Sequence, residues 1–387
     1  MNAHVAGQTA CTSLTRAEAY AFSHEFDCPT LILDLEAVKR QYSSLAQGLG
    51  RAQIHYAIKA NPAPEVLDAL QAMGSHFDAA SRAEIDMCLR AGATGAQISF
   101  GNTIKRASDI AYAHACGVTL FAADAEEELV KIAHHAPGAS VYIRLVMGAT
   151  EADWPLSRKF GCAADKFLPL LTLAQDLGLN PVGLSFHVGS QTRRASMWAP
   201  VLDQIAPLWH QARAAGFPLE LLNIGGGFPA YHGADIDAPE PYAADVMRLI
   251  QSRFGPVPHV MAEPGRAMVA EAGAIASEVL LVSRKSDEDL HRWVYLDIGL
   301  FSGLAEAMGE AIRYEFLTRR DGEQTGPCIV AGPSCDSADV LYETVPVQLP
   351  VSLQAGDRVV LRNCGAYTTT YASVGFNGFP PLKQIVI

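Results

Sequence analysis

From about residue 30 to residue 265, short apolar runs alternate with longer stretches whose apolar positions recur at helical spacing. The runs Gln53–Ile58, His76–Ala80, Gln97–Gly101, Val118–Ala122, Ser140–Leu145, Gly183–Val188, Leu219–Ile224 and His259–Glu263 read as strands. Between them, Pro64–Met73, Arg82–Ala91, Ala125–His134, Lys166–Leu177 and Trp198–Ala215 carry helical patterns. Eight strands separated by helices predict an α/β architecture, a parallel (β/α)8 barrel of TIM type. A doubly wound sheet is the main rival, which strand count alone does not exclude. After about residue 270 the pattern changes: Ala274–Ser283, Arg292–Asp297, Pro327–Ala331 and Arg358–Asn363 are separated by turns with little helical periodicity. These predict a C-terminal, mostly antiparallel β domain. Thr30–Leu35, ahead of the first barrel helix, is expected to pair with it, and Gly233–Pro241 reads as a surface loop. The expected division is a barrel over 36–270 and a β domain over 271–387 that takes a strand from 1–35.

Composition narrows the function. A chain of 387 residues, 49% hydrophobic and 18% charged, has enough apolar material for large cores. A formal charge of -12 with no basic block argues against a nucleic-acid partner and is compatible with a cationic substrate. The eight cysteines include no C-x-x-C pair, so neither a zinc knuckle nor a redox dithiol is suggested, and no metal site is expected. Scattered cysteines and no signal-type segment near Met1 point to a reducing cytoplasm. No run of ~18 apolar residues predicts a membrane span.

The chemistry gathers at strand ends, where barrel sites form. In His55-Tyr56-Ala57-Ile58-Lys59-Ala60-Asn61-Pro62 an apolar run ends on one lysine before Asn-Pro breaks it. Such an amine can snorkel to water, pair with an acid or form a Schiff base with an aldehyde cofactor. Later ends supply Asp78 and Ser81, Arg144, His187 with Gly189 and Ser190, then Gly225-Gly226-Gly227, then Glu263, Gly265 and Arg266. Three glycines can expose successive N–H groups to a phosphate, or simply make a tight turn. Arg266 offers a fork donor for the same anion. Glu263 can pair with Arg266 or with a protonated pyridine nitrogen, and His187 can be a core residue or stack on an aromatic cofactor. Gly332-Pro333-Ser334-Cys335-Asp336-Ser337 is a turn bearing a thiol and a carboxylate; Asn363 to Tyr367 and Gly375 to Phe379 are glycine-aromatic turns.

Taken together these segments resemble the fold type III pyridoxal-phosphate decarboxylases, in their ornithine/lysine branch and nearest its bacterial ornithine decarboxylases. The carrying motifs are Tyr56-Ala57-Ile58-Lys59-Ala60-Asn61, Phe77-Asp78-Ala79-Ala80-Ser81, His187-Val188-Gly189-Ser190, Gly225-Gly226-Gly227-Phe228-Pro229, Glu263-Pro264-Gly265-Arg266, Gly332-Pro333-Ser334-Cys335-Asp336 and Gly365-Ala366-Tyr367. They stand in family order across nearly the whole chain. The resemblance implies an alanine racemase-like barrel, pyridoxal 5'-phosphate as cofactor and a homodimer with shared sites. It implies Lys59 as the Schiff-base lysine, His187 on the ring face and Glu263 at the ring nitrogen. Ser190, Gly225, Gly226, Gly227, Gly265, Arg266 and Tyr367 are implied at the phosphate, with Asp78 and Arg144 beside the lysine and ring. Cys335 is implied as proton donor and Asp336 as partner of the substrate's distal ammonium, both in the partner subunit's site. Phe301 stands where the eukaryotic branch has a tyrosine, and Phe301 and Tyr367 are implied to line the substrate. Glu306 and Glu310 are expected contributors at the distal amine, and Ala267 replaces an aromatic.

The implied reaction is decarboxylation of L-ornithine to putrescine and CO2 in polyamine biosynthesis, with L-lysine to cadaverine alongside. The alternatives are a diaminopimelate decarboxylase, whose matching turn has Cys-Glu-Ser where this chain has Cys335-Asp336-Ser337; a racemase of the same fold, against which Glu263 argues; and a non-catalytic regulatory relative.

Overall fold

The computed structural model describes residues 13–146 and 159–387. The eight runs do close a barrel. After β1 (Thr30–Leu33), its staves are β2 (Gln53–Ala57), β3 (His76–Ala79), β4 (Ile98–Phe100), β5 (Leu120–Ala123), β6 (Ser140–Arg144), β7 (Asn180–Ser185), β8 (Leu221–Asn223) and β9 (His259–Ala262). All neighbours are parallel, and β2 meets β9 through Gln53↔Met261 and Ile54↔Ala262. Helices cover the outside of these strands and remove both faces from water, so most of their positions are apolar. Phe77, Phe100, Phe121 and Val141 are fully or almost fully buried.

The remaining strands are β10 (Gly273–Ser283), β11 (Arg292–Leu296), β12 (Phe316–Thr318), β13 (Thr325–Ala331), β14 (Val340–Pro350), β15 (Arg358–Leu361) and β16 (Lys383–Val386). They run β12-β15-β10-β11-β13-β14, with β1 joined to β10 and β16. The pairing is mostly antiparallel, but β1 with β16 and β11 with β13 are parallel, so the sheet is mixed. Its core is separate from that of the barrel and centres on Leu31, Ile275, Val294, Val330 and Tyr342.

One feature departs from the sequence reading. The Gly233–Pro241 loop is shorter than expected, because a helix starts at Pro239 and runs to Phe254. Proline at a first helical position loses no intrahelical bond, so it opens this helix rather than extending the loop. The first barrel helix follows β1, as expected, over Leu35–Leu49, capped by Asp34, whose carboxylate accepts the Glu36 N–H at 3.0 Å. Among the described residues no helix is long and apolar enough to cross a membrane.

Candidate active site

The polar residues that gather here stand at or just beyond the carboxyl halves of the barrel strands. Lys59 sits in the turn Ile58–Ala60 that follows β2. The sheet side pins this turn: Tyr367 N–H donates to Ala60 O at 2.8 Å and the Thr370 hydroxyl donates to Lys59 O at 3.0 Å. Asn61 explains the Asn-Pro break, since its Nδ2 donates to Gly365 O at 2.9 Å and its Oδ1 accepts the Ala63 N–H at 3.1 Å. Lys59 Nζ lies 3.9 Å from Asp78 Oδ2, with 54% of the lysine side chain open to the barrel mouth. The enclosure is thus a bowl rather than a sealed core. Enclosure works against the charge, but Asp78, then Tyr367 and Glu263, outweigh it and hold the ammonium above its ordinary range. Burial, followed by the Glu263 charge, pushes the Asp78 carboxyl well above the usual carboxylate range. Asp78 Oδ1 is buried without a hydrogen-bond partner.

On the facing wall His187 follows β7. Its Nδ1 accepts the Gly189 N–H at 2.9 Å, which places the ring proton on Nε2. Burial, reinforced by Arg144 and Lys59, lowers its pKa to about 3, so the ring is a neutral plate. Arg144 ends β6, its guanidinium 5.0 Å from the Phe160 ring. Glu263 follows β9 and is held twice: its N–H donates to Gly225 O at 2.8 Å, and Asn223 Nδ2 donates to its Oε1 at 2.6 Å. Asn223 Oδ1 in turn accepts the Gly225 N–H at 2.8 Å. Asn223 escaped the sequence reading, although a polar residue at the end of an otherwise apolar β8 was a usable signal.

The triple glycine is a place where no side chain fits. A Cβ on Gly225, Gly226 or Gly227 would lie 2.5, 2.8 and 2.5 Å from the carbonyl oxygens of Phe186, Glu263 and Gly189. Bare backbone is therefore presented to whatever enters. Arg266, 5% exposed, borders the same cradle: its NH2 donates to Ser190 Oγ at 3.3 Å and its guanidinium lies 5.0 Å from the Tyr367 ring. Arg266 Nε is buried and unpartnered. A flat, anionic aldehyde cofactor fits this set: an amine, a neutral imidazole plate, an oriented carboxylate, a backbone cradle and an arginine with a free donor.

Two expectations change. Glu306 is not a free acid: it grips both ends of the Arg266 fork, at 2.8 and 2.6 Å, with only 12% of its side chain exposed. Glu310 is structural: it accepts the N–H groups of Glu343 and Thr344 at 2.8 and 2.6 Å and pairs with Arg313. A buried arginine demands a counter-charge and a turn of bare N–H groups demands an acceptor, and both demands are met within the chain.

Cys335, Asp336 and Phe301 form a second group. Cys335 is exposed and free. Asp336 Oδ1 accepts the Ala338 N–H at 2.9 Å, leaving its other oxygen for a partner, and Phe301 packs its ring 5.0 Å from Phe376. Among the described residues no hydrogen bond or ion pair of the Cys335 or Asp336 side chain reaches the Lys59 group. The two groups are linked through one segment, in which Thr370 holds Lys59 O and Ser373 N–H donates to Phe301 O at 2.8 Å.

Residues 35–270 match the family model described as pyridoxal-dependent decarboxylase, pyridoxal binding domain. Over 366 residues the chain is 32% identical to the lysine/ornithine decarboxylase of Selenomonas ruminantium, covering 95% of this chain and 91% of the relative. The crystal structure of SrLDC in complex with PLP and cadaverine aligns with a TM-score of 0.86 at 32% identity, over 97% of this chain and 94% of that one. A lysine/ornithine decarboxylase from Vibrio vulnificus, complexed with cadaverine, aligns with a TM-score of 0.85 at 31% identity, over 97% of this chain and 100% of that one.

Proposed function

Because the chain belongs to the pyridoxal-dependent decarboxylases, in their ornithine/lysine branch, we propose that among basic amino acids its first substrate is L-ornithine, converted to putrescine and CO2 for polyamine synthesis. L-Lysine, longer by one methylene, is the second substrate, because a methylene is worth only ~1–3 kcal/mol of discrimination in a pocket. The observation that carries the reading is the meeting of Lys59–Asp78 and Asn223–Glu263 around a glycine cradle bordered by Arg266.

When bound, pyridoxal phosphate supplies the electron sink that lets a carbon–carboxylate bond break. Lys59 would hold the cofactor through Nζ, His187 would face its ring, and Glu263, held by Asn223, would pair with the ring nitrogen. Ser190, the backbone of Gly225 to Gly227, Gly265, Arg266 and Tyr367 would hold the phosphate, with Asp78 and Arg144 beside the lysine and ring. Asp336 would take the distal ammonium, Phe301 and Tyr367 would line the substrate, and Cys335 would be the proton donor to the substrate carbon.

In the same reading the barrel, 36–270, is the cofactor domain. The β domain, 271–387 with the strand from 1–35, lends Cys335 and Asp336 to the other subunit of a cytoplasmic homodimer. The short acid of Cys335-Asp336-Ser337 favours a distal amine over the amine-plus-carboxylate end of diaminopimelate.

Amine analysis of the purified protein with L-ornithine, L-lysine, L-arginine and meso-diaminopimelate tests this. Putrescine from ornithine is expected, with cadaverine from lysine at a lower rate. No amine from either, or product only from diaminopimelate, rejects the reading. Borohydride trapping and peptide mapping should place the cofactor on Lys59 and nowhere else.

A further inference from the structure

The turn Gly375–Phe379 braces two residues assigned to the substrate site, Phe301 and Cys335. Phe376 packs its ring 5.0 Å from that of Phe301. Its neighbour Asn377 holds Cys335 with both ends of one amide: the Cys335 N–H donates to Asn377 Oδ1 at 3.1 Å, and Asn377 Nδ2 donates to Cys335 Sγ at 3.2 Å. Asn377 does this from a left-handed backbone, φ +51°, a conformation that most side chains resist and asparagine tolerates. An exposed cysteine has many rotamers open to it; this one is fastened at its backbone and at its sulfur.

We propose that Asn377 is the positioning residue of the Cys335 thiol. Its carbonyl fixes the turn, and its amide N–H fixes the sulfur. The proposal rests on the reading that Cys335 is the proton donor. In that step the S–H bond breaks, and its proton joins the electron pair left on the substrate carbon by CO2, making a C–H bond. The S–H electrons stay on sulfur, and the thiolate later regains a proton from water. Asn377 Nδ2–H therefore faces a neutral sulfur before the transfer and an anionic one after it. A hydrogen bond to an ion is roughly twice as strong as one to a neutral group, so the contact strengthens as the proton leaves.

Two substitutions separate the amide from the turn. Asn377→Gly keeps the left-handed backbone without strain and deletes both contacts. Asn377→Asp keeps an acceptor for the Cys335 N–H and replaces the donor with a negative oxygen. Both holoenzymes are assayed with L-ornithine and L-lysine. The expected result is a kcat about ten-fold lower with KM within about two-fold, the pattern of an interaction made mainly in the transition state. Iodoacetamide labelling of Cys335 at one fixed pH, read by peptide mass mapping, should slow about three-fold or more in Asn377→Asp, because thiolate is the reacting form. Cys335→Ala/Asn377→Asp should be no slower than Cys335→Ala.

Wild-type kcat and labelling in both variants overturns the proposal, as does an equal loss from Asn377→Asp in the Cys335→Ala background. A Cys335→Ala enzyme as fast as wild type instead removes the proton-donor reading. The labelling rate then decides alone whether Asn377 holds the sulfur.

Discussion

Asp339 accepts the Leu300 N–H at 2.7 Å through Oδ1, and through Oδ2 it accepts the Ser334 N–H at 3.1 Å and hydroxyl at 2.7 Å. One buried carboxylate thus sets the spacing between the turn that carries Phe301 and the turn that carries Cys335 and Asp336. Gly299 and Gly332 make room for it, since a Cβ on either would lie 2.2 or 2.4 Å from Asp339. Asp339→Ala should leave two backbone donors unpaired and cost about 3 kcal/mol in urea unfolding. An unchanged urea midpoint would show that the two turns hold their places without it.

Asn223 stands in the same relation to the cofactor side. It bridges the first glycine of the cradle and the carboxylate assigned to the ring nitrogen. Asn223→Asp sets two carboxylates against each other at the 2.6 Å contact now made by an amide. Two such oxygens cannot both be charged, so Glu263 must turn away or take a proton. Cofactor affinity, measured by absorbance titration, should fall about ten-fold, the scale of one hydrogen bond to a charged group. Affinity equal to wild type would mean that Glu263 keeps its place without Asn223.

The barrel was legible because each of its strands is a short apolar run ending in polar or glycine residues, and burial on both faces leaves that mark in any chain. Lys59, Asp78, His187 and Glu263 were visible for the same reason. The helix Leu35–Leu49 carried a readable signal too: its buried Val38, Tyr42, Leu45 and Leu49 keep helical spacing behind an aspartate cap. What could not be read was pairing across distance. Glu306 looked like a free acid near the substrate, yet its partner is Arg266, 40 residues earlier. Asp339 and Asn377 look like ordinary turn residues, and each acts on a backbone about 40 residues away. Local pattern reports burial and turn chemistry; which buried charges meet is decided by the tertiary fold. β14 shows the limit for strands, because its central exposed residues Glu343, Thr344 and Val345 break the two-residue alternation that would have revealed it.

The Arg266–Glu306 pair predicts a difference between the cofactor-free and loaded protein. Both forks of Arg266 end on Glu306, which supplies the counter-charge that a buried guanidinium needs. Glu306→Ala should therefore leave an uncompensated buried arginine in the cofactor-free form, at a cost of about 3–5 kcal/mol. In the proposed reading the phosphate of the bound cofactor would supply a replacement anion, so the loaded form should lose much less. Thermal melts of both forms test this: the gap in Tm between them should widen in the variant. A gap equal to that of wild type would place the phosphate away from Arg266.

Acid stability follows from three histidines. His55, His187 and His232 are each lowered to about 3, in every case chiefly by burial. His76 adds to this at His55, Arg144 and Lys59 at His187, and Arg266 with Arg193 at His232. In the unfolded chain a histidine titrates near 6.5, so below that pH the unfolded state binds protons that the folded state refuses. Stability is therefore lost as pH falls from about 6.5 toward 3, by up to about 1.4 kcal/mol per pH unit for each histidine. Asp78 acts with the opposite sign, because its folded carboxyl keeps a proton that the unfolded chain releases, and its contribution fades as pH rises. Glu84 and Asp297, also raised chiefly by burial, act on the side of Asp78, while the lowered His76 joins the other three histidines, so four histidines stand against three carboxyls. Urea midpoints of the cofactor-free protein should fall steadily between pH 6.5 and pH 4.5, the window set by the ordinary and lowered values. His187→Gln should flatten that slope by about one histidine's share; a slope that stays as steep as wild type would mean that His187 takes up its proton in the folded state.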